Sequence, residues 1–275
     1  MAGEHDGGPR PRRRRGWLAG IALLPAIPIV VGVVIGLQHA AAGAAATTTE
    51  GFTPVGQTTG SAQAHKRAGA ALPAIPGGSG SLVALVHHQT ALRTSPDGRT
   101  IAQLGTKTQF GSPQVLWVVQ HKPGWLGVIT PQAGNGRVAW ILQSMTSLSR
   151  VSWQLKVSLS ARRLTVLDQG RVVERYTVAI GTPNAPTPTG RFAVTDRLAT
   201  DDPSGPYGCC ILALSANAPH AIQGWTGGTR IAIHSTPETG TIGEAASHGC
   251  IRLTLAEGRW LLGHIPLGTP TLISA

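Results

Sequence analysis

From residue 81 to the C-terminus, apolar residues come in short runs rich in β-branched and aromatic side chains, and turn-forming clusters end each run. Runs of this length suit strands and are too short for most helices, which constrains the chain to a turn-rich, mainly β fold. Thirty-six glycines and twenty prolines among 275 residues impose the same limit, because both residues weaken or break helices. Coiled coils and helical solenoids are disfavoured on that ground, and collagen is excluded because the glycines have no three-residue period.

Residues 81–148 read as a small β domain. The runs 82–86, 115–119 and 125–129 are set apart by Ser95-Pro96-Asp97-Gly98, Lys122-Pro123-Gly124 and Gly134-Asn135-Gly136, and a run at 138–141 closes the set. Residues 151–275 read as a second domain. Leu155, Val157 and Leu159 alternate with Lys156, Ser158 and Ser160, the period of a half-buried strand. Runs at 164–167 and 172–180 flank Asp168-Gln169-Gly170 as a hairpin, and further strands follow at 192–194, 211–214 and 231–233. One helix is predicted, from Thr254 to about His264, opened by a Thr254/Glu257 capping box and stopped by Pro266. The second domain is therefore expected to be β-sandwich-like with little helix.

Residues 17–37 carry no charge over 21 positions, enough to cross roughly 30 Å of hydrocarbon as a helix. Five arginines, Arg10 and Arg12 to Arg15, precede this run and none follows it closely. That asymmetry predicts a cytoplasmic basic tail at 1–16, a transmembrane helix at 17–37, and a single-pass cell-membrane protein with its folded domains outside. A cleaved signal peptide is the alternative, since residues 40–46 contain A-x-A patterns. Residues 38–80 hold almost no large apolar side chain and predict a disordered linker. The net charge of +11 is spread along the chain apart from the arginine cluster. Membrane topology plus a mildly basic exterior accounts for it, so no nucleic-acid partner is predicted.

The residues with chemical potential gather near the C-terminus. His234 ends a predicted strand, and Cys250 follows 16 positions later, after a loop containing Gly240, Gly243 and Gly249. A cysteine beside His234 and His248, on loops at a sheet edge, fits thiolate chemistry, because the thiolate is the attacking species and a neighbouring imidazole promotes its formation. Gly249 permits the turn that exposes the sulfur, and nearby peptide N–H groups are candidate oxyanion donors. Zinc ligation by His234, His248 and Cys250 with His264 as fourth ligand is the competing use of these residues.

This segment resembles the signature of the L,D-transpeptidase (YkuD-type) catalytic domain: a strand ending in histidine and a small residue, a loop, then Ser247-His248-Gly249-Cys250 with Arg252 two positions on. Upstream, Gly181-Thr-Pro-Asn-Ala-Pro186-Thr187-Pro188-Thr189-Gly190-Arg191-Phe192 resembles the family's GxxxxPTPxGxF stretch, and residues 156–180 resemble its opening hairpin. The stretch GWLGVITPQAGNGRVAWI, residues 124–141, is similar to bacterial SH3-like modules that precede envelope enzymes.

The resemblance implies a YkuD-type catalytic domain preceded by an SH3-like β domain, with peptidoglycan stem peptides as substrate. It implies Cys250 as nucleophile, His234 as general base, and Ser235 orienting the imidazole through its backbone or hydroxyl. His248 and Gly249 would shape the oxyanion hole and elbow, Ser247 would brace the loop, and Arg252 would hold the site or a substrate carboxylate. The implied reaction forms 3→3 cross-links through a cysteine thioester, with carbapenem β-lactams as inhibitors and no metal or organic cofactor. An L,D-carboxypeptidase that uses water as acceptor and a non-enzymatic wall-binding protein are the alternatives. Tyr207, His220 and Trp225 sit on Gly/Pro-rich loops as candidate cleft-lining residues. Cys209 and Cys210 depart from the family pattern. Adjacent Cα atoms, about 3.8 Å apart, fall below the usual disulfide range, so the two are not expected to pair with each other.

Overall fold

The computed structural model describes residues 76–219 and 228–275. The predicted tail at 1–16, the membrane segment at 17–37, the linker up to residue 75, His220 and Trp225 lie outside the described residues. Among those described, no helix is long and apolar enough to cross a membrane.

The N-terminal runs become a seven-stranded sheet: β1 (Ser81–Val86), β2 (Thr90–Arg93), β3 (Thr100–Leu104), β4 (Val115–Lys122), β5 (Trp125–Ile129), β6 (Ala139–Leu142) and β7 (Thr146–Val151). Their spatial order is β3-β2-β6-β5-β4-β1-β7. The predicted turns fall between strands: residues 95–98 join β2 to β3, and Pro123-Gly124 joins β4 to β5, with Gly124 in the left-handed region at φ +77°. The sheet runs past the expected limit of 148. β7 pairs with β1 along its whole length, from Thr146 opposite Val86 to Val151 opposite Ser81, because the apolar Val151 completes the last rung.

The remaining chain forms β8 (Trp153–Ser158), β9 (Arg163–Asp168), β10 (Arg171–Thr177), β11 (Ile180–Gly181), β12 (Gly190–Ala199), β13 (Cys210–Asn217), β14 (Arg230–Ser235), β15 (Ala245–Ser247), β16 (Ile251–Leu253), helix α1 (Leu255–His264) and β17 (Pro270–Ser274). Eight of these strands form one sheet in the order β10-β9-β8-β17-β12-β13-β14-β16, and β11 pairs with β15. The β9–β10 hairpin turns at Gln169 (φ 50°) and Gly170 (φ 79°), the pair of positive φ angles that a tight two-residue hairpin turn requires. The apolar run expected over 172–180 is divided: it pairs with β9 as far as Thr177, and Ile180–Gly181 turns to meet β15.

The long strand β12 changes partners midway. Residues 190–193 pair with β17, while the register to β13 shifts between Val194 and Asp196. A bulge of this kind bends a strand and increases its twist. The bend lets Leu155, Val157, Leu164 and Val166 from one end of the sheet share a core with Leu212, Leu214, Ile231 and Ile233 from the other, around the fully buried Phe192. The mainly β, sandwich-like expectation for this part of the chain is met in that way. Helix α1 covers the sheet next to β13 and β14. The Thr254 hydroxyl accepts the Glu257 N–H, and the Glu257 carboxylate accepts the Thr254 N–H, so the predicted capping box is formed.

The two sheets fall in one compact unit. Trp117 and Ile129 of the first pack on Ala193 of the second. The Asn135 amide donates to the Asn217 carbonyl at 2.7 Å and accepts the Asn217 N–H at 2.9 Å. Thr108 of the first sheet's β3–β4 loop donates to Asp196, which is wholly buried in β12.

Candidate active site

The site is built by one register. β16 runs parallel to β14, with Ile251 opposite Ile233, His234 opposite Arg252 and Ser235 opposite Leu253. Because side chains alternate along strands, His234 and Arg252 share one face of the sheet, and Cys250, one step before β16, belongs to the same alternation. Ser235, Ile251 and Leu253 face the other way, into the core beneath helix α1. Arg230, His234, His248, Cys250, Arg252 and Tyr207 line one small cleft.

His234 is 3% exposed, and its Nδ1 lies 2.8 Å from the Ser235 carbonyl. A carbonyl only accepts, so Nδ1 carries the proton and, in the neutral ring, the lone pair belongs to Nε2. Ser235 thus orients the imidazole through its backbone. Its hydroxyl serves elsewhere, accepting the Cys210 N–H at 3.2 Å and reaching the Tyr207 carbonyl at 3.4 Å. The Tyr207 ring meets the imidazole edge to face, with centroids 5.0 Å apart.

The elbow is held by a different serine. Ser247 Oγ donates to the Cys250 carbonyl at 2.5 Å and accepts the Gly249 N–H at 3.1 Å. Gly249 sits at φ +110°, a backbone conformation that favours glycine, and a Cβ there would lie 2.9 Å from Ile231 Cδ1, which would have to shift. Among the predicted residues, Ser247 and Gly249 are buried, Cys250 and Arg252 are partly buried, and His248 is exposed at the cleft. Arg252 lies 3.6 Å from the exposed Glu238 carboxylate. Its buried Nε has no hydrogen-bond partner.

Electrostatics favour a neutral resting pair. Burial pulls the His234 imidazole down to about 4, with the Arg252 charge acting in the same sense and the Ser235 and Tyr207 carbonyls opposing it. Burial raises the Cys250 thiol, while the Ala232 N–H and Arg252 favour the thiolate. The sequence suggested a thiolate preformed by its imidazole. Desolvation disfavours both charged forms, which opposes a preformed thiolate–imidazolium pair in the resting site.

The depressed histidine has a measurable consequence. Its folded-state value lies below the ordinary 6.5, so the unfolded chain binds a proton first as pH falls. Stability is complete above about pH 6.5 and is lost as pH drops toward 4, by up to the order of 3 kcal/mol. Thermal melts across that window should decline for the native chain and decline less for His234→Gln.

Cys209 and Cys210 correct the sequence reading: they form a disulfide with each other, at a Cα separation of 3.8 Å. The usual Cα range describes cysteines brought together by the fold. Adjacent residues need only side-chain and backbone rotation to close an eight-membered ring, and Gly208, at φ +58°, frees the backbone just before it. The pair lies against Ser235, with Cys209 Sγ 3.5 Å from Ser235 Oγ. Alkylation of the denatured chain without reductant should therefore label Cys250 alone, and reduction should raise the count to all three cysteines. Three labels without reductant would overturn the pairing.

Tyr207, expected as a cleft-lining residue, also packs on the imidazole, a contact that a loop aromatic does not signal in the sequence. The Ala232 N–H that faces the sulfur could not have been found, because any residue type would supply it. The zinc alternative loses its fourth ligand: the His264 ring stacks on Trp260, with centroids 4.2 Å apart, and it does not line the cleft. Among the described residues, no group of three or more His, Cys, Asp or Glu is placed to hold a metal ion.

Residues 152–273 match the L,D-transpeptidase catalytic domain family, YkuD. YkuD of Bacillus subtilis strain 168, an inferred L,D-transpeptidase, is 32% identical over 124 residues, spanning 45% of this chain and 67% of that protein. Its counterpart in Bacillus licheniformis is 29% identical over 157 residues, spanning 57% of this chain and 84% of the other. Among solved structures, L,D-transpeptidase 3 of Mycobacterium tuberculosis with a faropenem-derived adduct gives a TM-score of 0.38 at 19% identity, covering 50% of this chain and 73% of that one. The chain belongs to the L,D-transpeptidase catalytic domain family.

Proposed function

We propose that this protein is a peptidoglycan L,D-transpeptidase that forms 3→3 cross-links through a thioester on Cys250. The observation that supports the reading is the shared face of β14 and β16, which carries Cys250 and a buried imidazole whose Nδ1–H is bound to the Ser235 carbonyl.

In the acylation step His234 Nε2 takes the thiol proton as the sulfur attacks the carbonyl that joins the third, diamino-acid residue of a donor stem to its terminal D-Ala. The tetrahedral oxyanion is met by backbone N–H groups at the elbow. The C–N bond then breaks, the imidazolium returns its proton to the leaving D-Ala amine, and a thioester remains. The side-chain amine of a second stem's third residue attacks this thioester, loses a proton to His234 and forms the cross-link. The proton then returns to the sulfur. Arg252 is positioned to hold a stem carboxylate, and the exposed His248 shapes the cleft wall. Residues 17–37 would anchor the enzyme at the outer face of the cell membrane, close to this substrate.

The test is incubation of the purified chain with a disaccharide-tetrapeptide muropeptide, read by mass spectrometry. D-Ala release with a cross-linked dimer supports transpeptidation, whereas trimmed tripeptide without dimer indicates an L,D-carboxypeptidase. Absence of both, together with no mass adduct from a carbapenem, would falsify the enzymatic reading and leave a wall-binding protein.

A further inference from the structure

Thr187 lies in the loop between β11 and β12, 4% exposed. Its hydroxyl accepts the Gly181 N–H at 2.9 Å and donates to the Gly249 carbonyl at 2.8 Å. One buried side chain therefore ties the loop that follows β11 to the residue preceding Cys250. β11 and the start of this loop are fastened to the segment before the elbow as well, with Ile180 N–H donating to the Glu244 carbonyl at 2.9 Å and Thr182 N–H to the Ser247 carbonyl at 3.0 Å.

The Gly249 carbonyl and the Cys250 N–H belong to one rigid peptide plane and point in opposite directions. Holding the carbonyl on Thr187 therefore aims the N–H of Cys250 away from that loop. The restraint matters because residue 249 is glycine: without a Cβ, its backbone offers little resistance to rotation of this peptide. Ser247 does not supply the restraint, since its hydroxyl engages the Gly249 N–H and the Cys250 carbonyl, which belong to the two neighbouring peptides.

We propose that Thr187 is a positioning residue that fixes the Gly249–Cys250 peptide so that the Cys250 N–H points at the oxyanion formed during acylation. This rests on Cys250 being the nucleophile. The hydroxyl is the group that acts, by accepting from one side and donating to the other. A buried carbonyl deprived of its donor would turn toward another partner, and the aligned N–H would turn with it.

The experiment compares two reactions of the same sulfur in the full chain. Acylation by imipenem requires the oxyanion site, whereas alkylation by iodoacetamide requires an accessible, ionisable sulfur and develops no oxyanion. Thr187→Val and Thr187→Ala should slow imipenem acylation about 10- to 100-fold, in the range of a weakened oxyanion donor, and leave the iodoacetamide rate within about twofold of native. With a tetrapeptide donor, kcat should fall and KM stay nearly unchanged. Thr187→Ser, which keeps the hydroxyl, should acylate within about threefold of native.

Equal slowing of both reactions, native acylation rates in the Val and Ala variants, or failure of both variants to fold would each overturn the proposal, the last because it assigns Thr187 to the fold. A native chain that imipenem does not acylate, or a Cys250→Ala variant that it does, would instead overturn the proposed nucleophile.

Discussion

Cys250→Ala is expected to eliminate D-Ala release, cross-linked dimer and the carbapenem adduct together, a loss of at least about 10⁴-fold, while leaving the fold intact. The size of the loss follows from the chemistry. The proposed route passes through a thioester, and no neighbouring side chain can take the place of the sulfur: Ser247 is committed to two backbone hydrogen bonds, and Ser235 faces the core. The substitution removes one partly buried atom, so the melting temperature should shift by only a few degrees. Cys250→Ser should be nearly as inactive, because a neutral imidazole ionises a hydroxyl far less readily than a thiol. The check is intact mass after incubation with imipenem. An adduct on the Cys250→Ala chain would remove Cys250 from the mechanism.

His234→Gln is expected to slow acylation by about 10²- to 10⁴-fold at neutral pH, the usual yield of a positioned general base. Burial lowers the imidazole to about 4 and raises the thiol, which favours a neutral resting pair. The thiol therefore does not ionise to a useful degree by itself, and the base must accept its proton during attack. From this comes a distinguishing signature: the variant should regain rate as pH rises above the ordinary thiol range, where hydroxide removes the proton that His234 otherwise accepts. A variant within tenfold of native at pH 7, or one whose defect does not shrink at high pH, would show that the imidazole has another role.

Much of this architecture was legible in the chain because it is local. The alternation at residues 155–158, the two-residue turn at Gln169-Gly170 and the Thr254/Glu257 box each depend on neighbours a few positions apart, and each appears where expected. The His234 and Ser247-His248-Gly249-Cys250 segments were legible for another reason, as an ordered motif. The misreadings came from elements whose fate depends on distant partners. The run expected at 172–180 divides because Ile180 and Gly181 find β15. The first sheet outruns residue 148 because Val151 finds Ser81. The Cys209–Cys210 reading failed because a statistical distance range was applied to residues joined by a single peptide.

By itself the sequence determined a mainly β fold from residue 81 onward, a short helix near the C-terminus with its cap, and the residue types available for chemistry, since periodicity and turn preference act over a few residues. Tertiary structure alone decided how those residues are used. Pairing of β14 with β16 put His234, Cys250 and Arg252 on one face and turned Ser235 to the other, so that its carbonyl rather than its hydroxyl holds the imidazole. Burial lowered the His234 imidazole and raised the Cys250 thiol, and the fold brought Thr187 to a carbonyl 62 residues away. Register, desolvation and long-range hydrogen bonds arise between segments far apart in the chain, so no local pattern encodes them.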